Sequence, residues 1–243
     1  MNSDTDCPPI RFKALANEQI QQFHQHGYLV VSDFFDRNII QYFHQEIENS
    51  TTPQDLIKVR WAASHFDTFN GDVVDTRLPL AASIYDQFLL HELRKLKPGL
   101  ATLTDRSIGL SVNLTPAHGK FQPHFDRNLL TAVLYVNDDY DGGEMLLYPR
   151  LRYWLGHPSG IVKKKAQRVL DRYVRRQAYL NQFSRKIILK PRTGDLLIFE
   201  GTRTYHAVQP VLCGNRRISI QFAYDHAGMT YDASDYYGKA KAT

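Results

Sequence analysis

The sequence predicts a β-rich α+β protein. Segments with apolar residues at helical spacing lie within the first 100 residues, and short strand-like segments separated by turns recur in residues 107–149 and 186–224. With 243 residues and 43% hydrophobic content, the chain can build one domain with a sizeable core. We therefore expect residues 1–243 to form a single domain in which helices buttress a sheet.

Three helices are predicted within the first 100 residues, and the first two begin at suitable capping residues. Asn17 can cap the first helix and Gly27 can end it, while Asp36 can cap the second. Apolar residues recur at helical spacing within both segments, and Pro98-Gly99 ends the third. The predicted helices are Glu18–His26, Arg37–Glu48 and Leu80–Leu96.

Eight strands are predicted from alternating or continuously apolar segments. Turn residues separate them, most clearly the Asp and Gly residues of 138–143. The predicted strands are Tyr28–Phe35, Ser107–Leu114, Leu129–Val136, Gly142–Pro149, Lys186–Leu189, Asp195–Phe199, Ala207–Val211 and Arg217–Tyr224.

The positive charge of the chain is concentrated in one segment. Residues 150–192 contain 13 Lys or Arg and one acid, Asp171, although the net charge of the whole chain is only +5. We interpret this segment as a basic insertion with a helical core near residues 161–183. It is expected either to form a lid that attracts an anionic substrate or to be a solvated helix, with a homodimer contact as a further alternative.

Composition excludes several classes of protein. No apolar run approaches the ~20 residues of a membrane span, and the acidic, polar N-terminus argues against a secretory signal. Cys7 and Cys213 are too few for a disulfide framework or a thiolate metal site. We expect a cytoplasmic protein with no membrane partner, and loose segments at residues 1–13 and 230–243.

A metal site is indicated by three residues. His124 and Asp126 are two apart in the segment FQPHFDRN, so in an extended chain both side chains leave the same face. His206, in GTRTYHAVQP, can complete the two-His, one-carboxylate set that suits Fe(II) with open coordination positions. Taken alone, the HxD pair is equally compatible with a strand end satisfied by hydrogen bonds.

The order of the motifs is more specific than the pair. The HxD is followed by a strand, then by DGGEMLLYP, PRTGDLLIFEG and HAVQPVLCGNRRISIQF. Together these segments, over about residues 110–224, resemble the 2-oxoglutarate- and Fe(II)-dependent dioxygenases, in particular their prolyl-4-hydroxylase-like branch. The N-terminal stretch QIQQFHQHGYLVVSDFF is similar to the opening of many of these enzymes, including relatives of phytanoyl-CoA hydroxylase.

The resemblance implies a fold, cofactors and a reaction. The fold would be a double-stranded β-helix, or jelly roll, with His124, Asp126 and His206 as ligands of Fe(II) at its mouth. 2-Oxoglutarate and O2 would be the co-substrates, with succinate and CO2 released. Related halogenases lack the carboxylate ligand, so Asp126 favours hydroxylation or another oxidation over halogenation.

Two further residues are predicted to bind 2-oxoglutarate. Ile218, Ile220 and Phe222 alternate with polar residues, so we expect the even-numbered face of this strand to point inward, with Arg216 in the same phase. Arg216 would pair with the distal carboxylate, and its ten-residue distance from His206 matches the relatives. Arg217 would be a surface residue. Thr115 occupies the place where relatives often have a Tyr that reaches the co-substrate.

Several substrate classes remain open. The favoured one is a small molecule, such as a free amino acid or a biosynthetic intermediate, hydroxylated at an unactivated C–H bond. A prolyl-type protein hydroxylase is the alternative within enzymes. Nucleic-acid demethylation of the AlkB type fits less well, because no second Arg follows at six residues. A non-catalytic binding protein that uses the basic insertion is a further alternative.

Overall fold

Two facing antiparallel sheets and a layer of helices make up the described part of the chain. The computed structural model describes residues 8–50, 52–60, 63–152, 169 and 186–231. A short 3-10 helix at Pro53–Asp55 and a π-helical turn at Ile84–Phe88 accompany the α-helices. The α-helices are α1 Asn17–His26, α2 Arg37–Ser50, α3 Gly71–Arg77, α4 Pro79–Ser83, α5 Leu89–Leu93 and α6 Arg106–Gly109.

The strands form one large sheet, one small sheet and a two-stranded ribbon. They are β1 Tyr28–Val31, β2 Ile57–Val59, β3 Phe66–Asn70, β4 Leu100–Thr102, β5 Leu110–Thr115, β6 Phe121–His124, β7 Leu130–Tyr135, β8 Tyr140–Gly142, β9 Met145–Tyr148, β10 Ile187–Leu189, β11 Leu196–Glu200, β12 Tyr205–Val208, β13 Val211–Gly214 and β14 Arg217–His226. The large sheet has the order β1-β11-β7-β14-β5-β3-β2, with β4 paired to β14. The small sheet has the order β10-β9-β12-β6, and β13 pairs with β8.

Both faces of the large sheet are covered, by different layers. Ile218, Ile220 and Phe222 of β14 belong to the core that also contains the buried faces of the helices, such as Phe43 of α2. The opposite face carries Val133, Tyr135, Leu197 and Phe199, which pack against Met145, Leu147 and Val208 of the small sheet. The second face is therefore the interior of the space between the sheets.

The predicted helix starts are partly corrected by the structure. Asp36 caps α2 as predicted, accepting a hydrogen bond from Asn38 N (3.0 Å), and Gly27 ends α1 with a φ of +77°. The N-cap of α1, however, is Ala16 and not Asn17. The side chain of Gln19 accepts the backbone N–H of Ala16 (2.9 Å), so a Gln three residues into the helix supplies the missing cap.

Three other predicted elements are interrupted. The single helix predicted over Leu80–Leu96 is broken by the π-helical turn. The strand predicted from Ser107 begins only at Leu110, because Asp105 caps α6 by accepting Ser107 N (3.0 Å). The strand predicted over Ala207–Val211 is divided between β12 and β13.

Most of the basic insertion lies outside the described residues, as do residues 1–7 and 232–243. The lid, dimer and solvated-helix hypotheses therefore stay predictions. Among the described residues, no helix is long and apolar enough to cross a membrane.

Candidate metal and co-substrate site

Two histidines meet because their strands are paired. β6 and β12 run antiparallel in the small sheet, and His124 lies directly opposite His206 in the register. Directly opposite residues share a face of the sheet, so their side chains are neighbours. The two ring centroids are 4.3 Å apart. Phe199 packs against His206 from the large sheet, at 4.7 Å between ring centroids.

Asp126 joins the histidines from the turn that follows β6. Its backbone N–H donates to Gly201 O (3.2 Å), and the residue is only 6% exposed. Its Oδ1 lies 3.4 Å from His124 Nε2 and 3.5 Å from His206 Nε2. The potential ligand atoms of the three residues all lie within 4.8 Å of one another. The structure thus brings together the three residues that the sequence proposes as ligands.

Backbone carbonyls orient both imidazole rings. His124 Nδ1 donates to Gln122 O (2.8 Å) and His206 Nδ1 to Thr204 O (3.1 Å). A carbonyl only accepts, so Nδ1 carries the hydrogen in each ring and a neutral ring keeps a lone pair on Nε2. Two lone pairs and a carboxylate oxygen therefore face one point, where a cation can bind them together.

The second oxygen of Asp126 is held by side chains that sequence reasoning missed. Thr131 Oγ1 donates to Asp126 Oδ2 (2.5 Å), and Thr131 in turn accepts from Asn128 Nδ2 (2.9 Å). This leaves Oδ1 for the two histidines. Such orienting hydrogen bonds are typical of protein metal ligands. The only sequence signal for Thr131 was its nearness to the HxD.

The protonation states suit metal binding. Burial raises the pKa of Asp126, but the two histidines and Thr131 outweigh burial and lower it to about 2. Burial lowers the pKa of His206 to about 4, against the opposing charge of Asp126. An ionised carboxylate and a neutral His206 are therefore both present at neutral pH, as a two-His, one-carboxylate metal site requires.

A protein-family comparison agrees with this geometry. Residues 110–225, which contain all three residues, match the family model described as the 2OG-Fe(II) oxygenase superfamily. The part of the chain that carries the three residues is therefore that of a 2OG-Fe(II) oxygenase. The oxygenase accordingly uses Fe(II), 2-oxoglutarate and O2, which confirms the predicted cofactors.

Solved structures show that the oxygenase has the predicted double-stranded β-helix fold. The non-haem α-ketoglutarate-dependent epimerase SnoN from nogalamycin biosynthesis is 15% identical, with a TM-score of 0.68, covering 86% of this chain and 82% of SnoN. HygX from Streptomyces hygroscopicus, with nickel and 2-oxoglutarate bound, is 17% identical, with a TM-score of 0.61 and 89% of each chain covered. A Pseudomonas putida prolyl-4-hydroxylase is 17% identical, with a TM-score of 0.56, covering 87% of this chain and 98% of the hydroxylase. No curated protein sequence matches the oxygenase.

A buried arginine lies on the interior face of the large sheet. Arg217 is 1% exposed, and its Nη1 donates to Ser219 Oγ (3.2 Å). Its guanidinium carbon lies 5.0 Å from the centre of the Tyr135 ring. Within the described part of the chain, no carboxylate forms an ion pair with Arg217. A buried cation without an anionic partner is unfavourable, so this position suits an anionic ligand.

Hydroxyl groups without hydrogen-bond partners surround Arg217. Thr115 lies opposite Arg217 in the register of β5 and β14, and is fully buried. Thr115 Oγ1, Tyr135 Oη, Tyr140 Oη and Arg217 Nε are all buried and lack a partner among the described residues. Burial raises the pKa of Tyr135 to about 12, so its hydroxyl keeps its proton. Each of these four groups can donate a hydrogen bond, and a bound carboxylate would be a suitable acceptor for them.

The predicted inward phase of β14 is wrong. Arg216 points away from the interior, and its Nη2 forms an ion pair with Glu48 Oε2 (2.8 Å) on α2. Arg217, expected on the surface, is the residue that lines the interior. The even-numbered face is indeed apolar, but it packs against the helices and not against the small sheet. Thr115 lies beside Arg217, away from Arg216.

The metal-free protein is expected to lose stability as the pH falls from about 6.5 to about 4. The pKa of His206 is near 6.5 in an unfolded chain and about 4 when folded, so the unfolded state binds more protons in this window. The lowered pKa of His206 corresponds to about 3 kcal/mol of unfolding free energy. This contribution is fully present above about pH 6.5 and is lost as the pH falls to about 4. Asp126 stays ionised throughout, because its folded pKa is about 2.

Denaturant unfolding of the metal-free protein, between about pH 7.5 and pH 4.5, measures this loss. His206→Asn should flatten the pH dependence, whereas His226→Asn, at an exposed position, should keep it. An equally steep dependence in His206→Asn would show that another group is responsible.

Proposed function

We propose that the oxygenase hydroxylates an unactivated C–H bond of a small molecule, with His124, Asp126 and His206 holding Fe(II) and Arg217 binding 2-oxoglutarate. The observation that carries this proposal is that a cluster of potential metal ligands and a buried arginine suited to an anion lie between the same two sheets. Three acceptor atoms face one point, and a buried guanidinium without an acidic partner among the described residues lies on the interior face between the same two sheets.

Each residue has a defined part in this proposal. Arg217 forms charge-assisted hydrogen bonds with the distal carboxylate of 2-oxoglutarate, and the hydroxyls of Thr115, Tyr135 and Tyr140 donate to the same anion. The Nδ1 bonds of the histidines fix both rings, and Thr131 fixes Asp126. Fe(II) and 2-oxoglutarate, when bound, supply the activation of O2 that oxidises the substrate and releases succinate and CO2.

The interior wall beside the metal ligands supports a polar substrate. Thr131 and Val133 lie two apart on β7, and Gln221 is the partner of Val133 on β14. Ser111 is the partner of Gln221 on β5, and Asn113 Nδ2 of the same strand donates to Gln221 Oε1 (3.4 Å). Gln221 and Ser111 lie on the same face as Thr131, which holds Asp126, but on the next two strands and one residue pair further along the sheet, or roughly 7 Å in the strand direction. They are suited to a free amino acid or another hydrogen-bonding metabolite.

The proposal is tested by substrate-dependent succinate formation. The purified protein, with Fe(II), 2-oxoglutarate and ascorbate, is assayed against amino acids, biosynthetic intermediates and prolyl-containing peptides. We expect slow turnover of 2-oxoglutarate alone, loss of that turnover on chelation, and stimulation by a small molecule that gains one oxygen atom. Stimulation by peptides only would replace the small-molecule proposal with a protein hydroxylase, an activity for which a structural neighbour is named. No turnover with any substrate would favour a binding protein.

A further inference from the structure

Glu200 is a buried carboxylate shared by three cations. Its side chain is 1% exposed and forms ion pairs with Lys97 Nζ (2.8 Å), Arg150 Nε (3.0 Å) and Arg203 Nη1 (3.2 Å). Burial alone would raise the pKa of Glu200, but Lys97 and the two arginines outweigh burial and lower it. An ionised, buried acid with three partners fixes the position of the chain around it.

The turn that begins at Glu200 supports two of the three metal-site residues. Glu200 O accepts the backbone N–H groups of Arg203 (3.1 Å) and Thr204 (2.9 Å), which closes the turn between β11 and β12. Gly201 O accepts the backbone N–H of Asp126 (3.2 Å), and Thr204 O accepts His206 Nδ1 (3.1 Å). The same turn, Glu200–Thr204, therefore places Asp126 and orients the His206 ring.

The turn fits closely against Asp126. A Cβ added to Gly201 would lie 2.6 Å from Asn128 O, 2.9 Å from Thr131 Oγ1 and 3.0 Å from Asp126 Cβ. Small displacements of the turn are therefore transmitted to the group that holds Asp126.

Glu200 connects this turn to distant parts of the chain. Arg150 also donates to His24 O (2.7 Å) and Gln25 O (3.0 Å) at the end of α1, and Glu200 N donates to Gly27 O (3.0 Å). Lys97 follows α5. The carboxylate thus holds the turn against α1 and the segment after α5.

We propose that Glu200 is a positioning residue for the metal centre, acting through the carbonyl groups of Gly201 and Thr204. The inference rests on the proposed function, because it assumes that Asp126 and His206 bind the metal. An amide at position 200 carries no negative charge, so Lys97, Arg150 and Arg203 would lose the anion that they share. The turn would then relax, and both metal-site residues would lose their fixed orientation.

The test compares metal binding in Glu200→Gln and Glu92→Gln. Glu92 is a matched control, because it is also buried (3% exposed) and pairs with Lys95 (2.7 Å), but it accepts Leu15 N from the helical side of the protein. Co(II) affinity of the full chain is measured by calorimetry, together with the Co(II) d–d absorption spectrum and the melting temperature. We expect Glu200→Gln to bind Co(II) 10- to 100-fold more weakly, with an altered spectrum. Glu92→Gln should lower only the melting temperature.

The outcomes separate this inference from the proposed function. Unchanged Co(II) affinity and spectrum in a folded Glu200→Gln protein would overturn the positioning role while leaving the metal site intact. If the wild-type protein itself bound no Co(II), the proposed function would fail. Glu200→Asp keeps the charge on a shorter side chain, so its affinity should fall between those of the wild type and Glu200→Gln. If Glu200→Gln does not fold, wild-type affinity in Glu200→Asp would overturn the inference.

Discussion

Turnover of 2-oxoglutarate is expected to fall to background when His206 is replaced by alanine or Asp126 by asparagine. Alanine at position 206 removes one of the atoms that converge on a single point, whereas asparagine at position 126 keeps the shape of the side chain and removes its negative charge. Loss of a residue that only orients a ligand commonly lowers metal affinity or activity about 10- to 100-fold, so loss of a ligand should exceed that range. His124→Ala should behave in the same way.

His118→Asn provides the control for these variants. His118 lies six residues before His124, is outside the cluster and has a φ of +63°, which asparagine tolerates. Its succinate production should equal that of the wild type. Far-UV circular dichroism establishes that each variant is folded, and calorimetry with Co(II) establishes whether binding is lost. A folded His206→Ala protein with full turnover would remove His206 from the proposed triad.

Two residues of the metal cluster, His124 and Asp126, could be predicted because their geometry is local. They are two positions apart in a segment expected to be extended, and this spacing alone predicts that both side chains lie on one face. The position of His206 required the order of the surrounding motifs. Fe(II) followed from these residue types, and 2-oxoglutarate and O2 followed from the resemblance of the motifs to the dioxygenases. The helices and most strands could also be predicted, because capping residues and apolar periodicity are read over short distances.

The orientation of β14 could not be predicted from its alternation. Alternation showed that Ile218, Ile220 and Phe222 share a face, and this face is indeed buried. Inside a sheet covered on both sides, however, the more apolar face need not be the one that binds ligands. Here the apolar face packs against helices, and the polar face that includes Arg217 and Ser219 lines the interior. Choosing between the two faces requires the tertiary structure.

The supporting residues of the site are remote in sequence. Glu200 lies 50 residues from Arg150 and 103 from Lys97, and nothing in its local sequence predicts that they meet. Tyr135 could have been recognised, since it lies in phase with Thr131 and Val133 on β7. Recognising Tyr135 would, however, have required knowing that Thr131 lies on the interior face of β7. Sequence patterns therefore indicated the cluster itself better than the side chains that position it.

Replacing Arg217 with methionine should raise the 2-oxoglutarate requirement about 10- to 100-fold, because a charge-assisted hydrogen bond contributes about 1.5–3 kcal/mol and every 1.4 kcal/mol is tenfold in affinity. Methionine is long enough to fill the space of the buried side chain, and it leaves no charge in the interior. Co(II) affinity should be unchanged, which separates the co-substrate site from the metal site. The measured quantities are the KM for 2-oxoglutarate in succinate formation and the Kd of Co(II).

Arg216→Met is the matched control, since it makes the same change at the next residue. Arg216 contributes a half-exposed ion pair with Glu48, and such pairs contribute about 0–1 kcal/mol to stability. The KM for 2-oxoglutarate should therefore stay within about twofold of the wild type. If Arg216→Met raised this KM more than Arg217→Met did, the co-substrate could not be bound on the interior face of β14. The unpartnered hydroxyls of Thr115, Tyr135 and Tyr140 would then need another ligand, because they lie around Arg217 and not around Arg216.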